Sequence, residues 1–258
     1  MNKPFLSIIT INYNDVEGLE RTMKSVFEQH FIDFEFIVID GGSRDRSVDC
    51  IHEYQARISH WISEPDNGIY HAQNKGIEAA KGTYLLFLNS GDVLNGPEAL
   101  EAFITHEDFH GDIVYGDYKF EEGEKIYPDE LTPYFFMITS LPHQSTLFKK
   151  TVFDRMGSYN EKYKIAADRA FYIKCFMSGQ ISFRHITYPL TKFDLSGLSN
   201  DPALLKEKAV EDEAAFKEYF GIHYPELAKQ RTAEQKLKKA ERNSFTGILK
   251  RIKRRLSS

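Results

Sequence analysis

The N-terminal part of the chain alternates between two apolar patterns. Residues 5–12, FLSIITIN, are apolar or β-branched nearly throughout, as in a strand buried on both faces. After YND, Leu19, Met23, Val26 and Phe27 fall at i, i+4, i+7 and i+8, which predicts a helix with one apolar stripe. FEFIVIDGGS is a second buried strand, stopped by glycines. A short helix follows from about Ser47 to Tyr54, then a short third strand, HWIS. EPDNG is a turn by composition. IYHAQNKGIEAAKG predicts a helix closed by Gly82 at its C-terminal cap, and TYLLFLN is the fourth strand. The order β-α-β-α-β-α-β with short connections predicts an α/β fold, a mainly parallel sheet with helices on both faces.

Ligands bind such sheets beyond the carboxyl ends of the strands. Asn12 to Asp15, Asp40 to Ser43 and Asn89 to Asp92 are therefore expected to converge on one crevice. From about residue 112 the pattern changes. DIVYGDYKF is a strand, and PHQSTLFKKTVFDRMGSYNEKY mixes strand and turn. AADRAFYIKCFMSG predicts an amphipathic helix with Ala170, Ile173, Phe176 and Met177 on one side. ISFRHITYPLTKFDL is strand-like, and residues 203–220 are helical and charged.

Composition narrows the class. No run approaches the roughly 18–20 apolar residues of a membrane span, and MNKPFLSIITINYN enters a strand pattern with no signal-peptide core. Cys50 and Cys175 are far apart and in no metal-like spacing, which suits buried thiols in a reducing cytosol. The net charge of −5 conceals an asymmetry: Lys229 to Ser258 carries 11 basic and 2 acidic residues, +9, leaving −14 on the rest. A basic tail on an acidic body suggests an anionic partner for the tail alone.

The crevice chemistry is narrowed by what is missing. There is no G-x-G-x-x-G after the first strand, no G-x-x-x-x-G-K-S/T loop and no G-x-S-x-G elbow. The strand ends supply polar and acidic side chains instead: Asn12, Tyr13, Asp15, Asp40, Ser43, Asp45 and Asp92. A crevice rich in acids holds a diphosphate only with a cation between them, which points to a metal-bridged nucleotide.

These residues match a family. LSIITINYN, FIVIDGGSRDRS, DNGIYHAQNKGIEAAKGTYLLFLNSGD and YKIAADRAFYIKC, in that order, resemble the family 2 glycosyltransferases over residues 5 to about 200. These are inverting enzymes of the GT-A fold that use nucleotide-sugar donors. The DNGIYHA-NKG and LNSGD forms look most like the branch found in bacterial O-antigen, capsule and exopolysaccharide clusters. The resemblance implies a GT-A domain over 1–200, with a nucleotide-sugar half to about 115 and an acceptor half from about 116. A helical extension over 201–258 follows.

The resemblance also implies site roles. Asn12, Tyr13 and Asn14 occupy the loop against the nucleoside, and Asp40 is the first of two acids that recognise base and ribose. Gly41 stands where the family has the second acid. Asp66 precedes the donor helix, Asn74 matches the asparagine beneath the donor, and Gln73 replaces the usual arginine before it. LNSGD aligns with D-x-D-D: Asn89 and Gly91 replace two acids, and Asp92 remains as the carboxylate for a divalent metal, Mn2+ or Mg2+, weakly bound without nucleotide. Asp168 matches the catalytic base, with Ala167 in place of the preceding acid. His143 and Gln144 match the segment between donor and acceptor. The expected donor is a UDP-sugar and the expected acceptor a saccharide or polyprenyl-linked saccharide.

Plainer roles exist for the same residues. Asp168 suits a first-turn acid facing a helix dipole, Asp92 a turn, Asp40 a cap and Asp66 a turn. Two other functions are alternatives: a silent sugar-nucleotide-binding subunit, which the thinned acid cluster motivates, and a nucleotidyltransferase on a similar fold, whose Gly- and Arg-rich loop after the first strand NYNDVEG does not supply. The tail FTGILKRIKRRL sets Phe245, Ile248, Leu249, Ile252 and Leu256 at helical spacing among basic residues. That is the pattern of an interfacial helix, and it predicts binding of an anionic membrane surface through 245–256. No stacking platform accompanies the charge, so nucleic acid is not an expected partner. The expected location is cytoplasmic, peripheral at the inner face of the plasma membrane.

Overall fold

The structure, a computed structural model, describes residues 3–192 and 203–243. The basic segment 245–256 lies outside the described residues. In the N-terminal half, β1 (Leu6–Asn12), β2 (Phe34–Asp40), β3 (His60–Ser63) and β4 (Tyr84–Phe87) run parallel in the order β3-β2-β1-β4. They are joined by α1 (Val16–Phe27), α2 (Ser47–Tyr54) and α3 (Ile69–Ala79). The chain moves outward from β1 to β3 with α1 and α2 on one face. It then returns to the far side of β1, and a right-handed crossover sends α3 over the other face. The order therefore reverses between β1 and β4, the position at which open sheets of this kind form a crevice at the strand ends.

Strand alternation separates the core in two. Leu6, Ile8, Phe36, Val38 and Leu86 pack with Leu19, Met23 and Val26 of α1 and Ile51 of α2. Ile9, Ile11, Ile37, Ile39, Leu85 and Phe87 pack on the opposite face with Tyr70, Ala72 and Ile77 of α3. Both faces are covered, which is why these strands are apolar runs and not alternating ones. Cys50 and Cys175 are buried free thiols, as expected.

The second half turns the sheet mixed. It adds β5 (Val93–Leu94), α4 (Ala99–Ile104), β6 (Ile113–Phe120), β7 (Gly123–Lys125) and α5 (Pro133–Ile138). After a 3-10 turn at His143–Ser145 come β8 (Thr146–Lys149), α6 (Lys150–Met156), α7 (Ala167–Met177) and β9 (Phe183–Lys192). β8 is antiparallel to both β4 and β6, β6 is parallel to β9, and β5 closes the path antiparallel to β9. α8 (Leu205–Phe220) and α9 (Tyr224–Asn243) follow.

Several expectations need correction. KTVFDRM forms α6, where a mixture of strand and turn was expected. α7 is not one-sided: Ala167, Ala170, Phe171, Tyr172, Ile173 and Cys175 are all buried, so its helical period is concealed by apolar residues around most of its circumference. The expected boundary near 200 falls among residues outside the description, but Ala215, Phe216 and Phe220 of α8 sit in the same core as α7. Gly82 is not the C-terminal cap of α3. That cap is Ala80 in extended conformation, and Gly82 instead lets the chain touch β1. Its N–H donates to Ser7 Oγ at 2.8 Å, and a Cβ there would come within 2.5 Å of Ser7 N.

That contact is with backbone, which cannot swing aside. Gly82→Ala is expected to destabilise the fold by about 1–3 kcal/mol through overpacking. Urea unfolding measures it; an unchanged midpoint would mean that the segment relaxes freely.

Candidate active site

The three outer parallel strands end flush: Asn12 pairs with Asp40, and Asp40 with Ser63. Asp40 has no exposed surface. Each of its oxygens accepts twice. Oδ1 takes Asn12 Nδ2 at 2.8 Å and Ser43 Oγ at 2.5 Å; Oδ2 takes Ser43 N at 2.9 Å and Ser63 Oγ at 2.6 Å. Burial pushes this carboxyl up, but the hydrogen bonds from Ser43, Ser63 and Asn12 outweigh it and hold it below the usual range. The Asp40 carboxylate thus takes four hydrogen bonds from protein groups.

Asn12 carries the network to the fourth strand. It is buried, its Nδ2 also lies 3.2 Å from Ser43 Oγ, and its Oδ1 accepts from Ser90 Oγ at 2.9 Å. Asn14 takes a left-handed backbone with φ 51°, donates N–H to Ser43 Oγ at 2.8 Å and accepts from Arg44 N at 2.8 Å. The expected convergence of strand tips is thus present, held by side chains at 12, 14, 40, 43, 63 and 90. Asp15 and Asp45 serve local ends: Asp15 accepts from Gly18 N at 2.9 Å, and Asp45 from Val16 N at 3.0 Å.

Two side chains flank Gly41. Tyr13 stands 65% exposed, its ring free to cover a planar group. A Cβ at Gly41 would meet Asp66 Oδ2 at 2.5 Å and Tyr13 Cδ2 at 3.3 Å. The carboxylate of Asp66, from another loop, therefore occupies the space that a side chain at 41 would take. Asp66 also accepts from Gly68 N at 2.9 Å through Oδ1, which fixes the entry to α3.

The Asn89–Asp92 tip is a closed turn. Asp92 Oδ2 accepts from Asn89 N at 2.9 Å, and Asp92 N donates to Asn89 O at 2.9 Å. Gly91 has φ 98°, a conformation that an aspartate would hold only under strain. Thr22 of α1 accepts from Gly91 N at 3.0 Å and donates toward Asp92 O at 2.8 Å. Gln73 Nε2 donates to Asn89 Oδ1 at 3.2 Å, while its buried Oε1 has no protein partner.

His143 joins this tip to α7. Its Nε2 lies 3.1 Å from Asn89 Nδ2 and 3.5 Å from Asp92 Oδ2, and its Nδ1 lies 4.0 Å from Asp168 Oδ2. Burial lowers the imidazole pKa, and the hydrogen bond and charge of Asp92, with the charge of Asp168, outweigh it and raise it above the ordinary value. Asp168 Oδ1 lies 2.7 Å from Arg169 N and 3.1 Å from the hydroxyl of Tyr70, which also reaches Ile165 O at 2.8 Å. Burial, the Asp168 charge and Glu211 hold the Tyr70 phenol protonated.

Two expected site residues face inward. Gln144 is buried behind His143. Asn74 is buried too, and its amide clasps the segment after α6: Nδ2 donates to Tyr159 O at 3.0 Å and Glu161 Oε1 at 2.9 Å, and Oδ1 accepts from Tyr159 N at 3.0 Å. Asn74 thus fastens α3 to the loop leading into α7. Ser63, Tyr70 and Ser90 complete the constellation; Ser90 lies within the expected tip, and Ser63 and Tyr70 were not expected from sequence. Tyr70 lies 98 positions from Asp168, and no local pattern connects them.

The donor set around Asp92 limits the metal it could hold. Among the described residues no group of three His, Cys, Asp or Glu side chains could hold an ion. One carboxylate, one imidazole and amide oxygens do not make a closed protein site. They fit the mode of Mg2+ or Mn2+ that keeps water and shares phosphate oxygens of a ligand.

The polar strand tips lie at the switch point of a GT-A-like mixed sheet. The description Glycosyl transferase family 2 matches residues 7–173, so the chain belongs to that family. An uncharacterized glycosyltransferase of Mycobacterium tuberculosis is 32% identical over 76% of this chain and 78% of its own length. A PGL/p-HBAD biosynthesis glycosyltransferase of Mycobacterium bovis is 31% identical over 78% and 81%. Staphylococcus aureus TarS 1–349 in complex with UDP-GlcNAc shares the fold with TM-score 0.63 at 18% identity, covering 86% of this chain and 73% of that one. The mannosyltransferase PcManGT of Pyrobaculum calidifontis, in complex with GDP-Man and Mn2+, does so with TM-score 0.62 at 15% identity over 100% and 81%. No helix among the described residues is long and apolar enough to cross a membrane.

Asp40 supplies a pH test. Its folded pKa is lowered, so its contribution is complete above the unfolded carboxylate value of about 3.9 and disappears as pH falls through the folded value. Asp40→Asn is expected to cost about 1–3 kcal/mol near neutral pH. Its deficit against the wild type narrows as pH falls below about 4. Urea unfolding across pH 3–7 checks it, and a pH-independent deficit contradicts it.

Proposed function

We propose that this glycosyltransferase is inverting and transfers a sugar from a nucleoside diphosphate sugar, UDP-linked, to a hydroxyl of a saccharide or polyprenyl-linked saccharide acceptor. The observation that carries the proposal is the single imidazole between Asp92 and Asp168, 3.5 Å from one and 4.0 Å from the other. A donor diphosphate at the Asn89–Asp92 tip would place its anomeric carbon in front of Asp168. The relative named for PGL/p-HBAD biosynthesis supports a place in cell-surface glycan assembly.

The reaction balances as one displacement. The acceptor oxygen forms the new bond to the anomeric carbon, and the bond from that carbon to the diphosphate oxygen breaks. The nucleoside diphosphate leaves with the electron pair, and the acceptor proton passes to Asp168 Oδ2. Tyr70, buried and protonated, steadies Oδ1 and leaves Oδ2 to the acceptor. General-base assistance of this kind contributes about 10²–10⁴ in rate. Tyr13 and Asp66, which flank Gly41, would meet the nucleoside, and Asn12, Asn14 and Asp40 would hold the loop beneath it. Asp92, with Asn89 and His143, would hold a divalent cation shared with the diphosphate, whose bound charge offsets that developing on the leaving group.

The lone carboxylate at the tip also favours a second role, a sugar-nucleotide-binding subunit without turnover. One experiment separates the two. A panel of UDP- and GDP-linked sugars is screened by thermal shift with manganese, and the stabilising donor is tested for turnover. Asp168→Asn is expected to keep the thermal shift and lose about 10²–10⁴ in kcat. An Asp168→Asn enzyme as active as wild type removes Asp168 as the base. Stabilisation by a donor with neither transfer nor slow donor hydrolysis by the wild type supports the silent subunit.

A further inference from the structure

α7 carries Asp168 in its first turn but begins without a capping side chain of its own, at Ala166 and Ala167. The amides ahead of it are nonetheless satisfied, from α8. Glu211 Oε1 accepts from Lys164 N at 2.7 Å, and Oε2 accepts from Ile165 N at 2.8 Å and Ala166 N at 3.0 Å. One carboxylate takes three successive donors at the positive end of the helix that presents Asp168.

The next residue of α8 holds the other side. Asp212 Oδ2 accepts from Arg169 Nη1 at 2.7 Å, with both side chains largely enclosed. Arg169 also donates to Phe136 O through Nε at 3.0 Å and Nη2 at 2.7 Å. Asp168 thus stands between two segments tied to α8, residues 164–166 and Arg169. The tie reaches its carboxylate directly. Ile165, whose N–H is held by Glu211, accepts through its carbonyl from the same Tyr70 hydroxyl that contacts Asp168 Oδ1. A shift of residue 165 moves the partner of Asp168 as well as its backbone.

A cap needed only for helix stability is supplied by a local Ser, Thr, Asp or Asn. Here it comes from 46 positions away, beyond the residues 7–173 that match the family. We propose that Glu211 is a positioning residue for transfer: its carboxylate fixes the 164–166 amides and so sets the direction in which Asp168 faces the acceptor hydroxyl. The inference rests on Asp168 being the base.

Misplacement of a catalytic group by on the order of 1 Å costs up to about 10²-fold in rate. Glu211→Gln replaces one accepting oxygen with a donor facing backbone donors. It is expected to lower kcat about 10- to 100-fold while the donor KM and the thermal shift by the donor found in the panel stay within about twofold. Glu211→Asp, which keeps the charge on a shorter arm, recovers part of kcat. An unchanged kcat per folded molecule overturns the proposal, as does a loss that follows the folded fraction by circular dichroism or appears only in KM. If the glutamine variant does not fold, Glu211→Asp decides by the same split: lowered kcat at unchanged KM supports the proposal, and unchanged kcat overturns it. Asp168→Asn, assayed alongside, separates the two failures. If it stays active, the base assignment falls and this inference with it. If it is inactive while both Glu211 variants keep kcat, only the role of Glu211 falls.

Discussion

An ionised carboxylate shut away from water must be given hydrogen-bond donors by the protein, and Asp40 receives four. Those donors come from the end of β1, the loop after β2 and the end of β3. Satisfying one buried charge therefore aligns three strand tips and sets the course of residues 41–46. Asn12 extends the same network to Ser90 beyond β4. The polar groups of the crevice floor are held by hydrogen bonds to one another. What remains available above it is different in kind: the exposed ring of Tyr13, Asp66 over Gly41, and the Asp92–His143–Asp168 line.

That division explains how a strand tip with one acid is built. With Gly91 in a left-handed turn and Asn89 beneath it, the tip is closed by Asp92 on its own backbone and by Thr22 of α1. The charge that additional acids would bring is absent, and an imidazole with raised basicity stands beside Asp92. At Gly41 the local loss of a side chain is met by Asp66 from the loop before α3. In both places side chains distant in sequence stand where a short motif would have supplied its own.

The same distribution marks what was legible in the sequence. The parallel half was legible because strands covered on both faces are uniformly apolar and α1 carries a clear stripe. α2 and β3 fall where the pattern put them, at Ser47–Tyr54 and His60–Ser63. α6 was harder because it is short, with only Val152 and Phe153 buried, too few to show a helical period. α7 was legible as a helix, but burial on most sides removes the polar face that would show which side faces the core. The convergence of strand tips followed from topology, but the inward turn of Asp40, Asn74 and Gln144 did not. A polar side chain that serves the fold has the same letter as one that serves a ligand. Tyr70 and Glu211 left no local signal, because their partners lie 98 and 46 positions away.

The central claim is a one-step displacement with Asp168 as the base. The most direct measurement is the anomeric configuration of the product, read from the proton coupling at the newly linked carbon by nuclear magnetic resonance, with whichever α-linked donor of the panel is turned over. Direct displacement predicts a β-linked product. An α-linked product would require two successive displacements or a different geometry of attack, and would contradict the account.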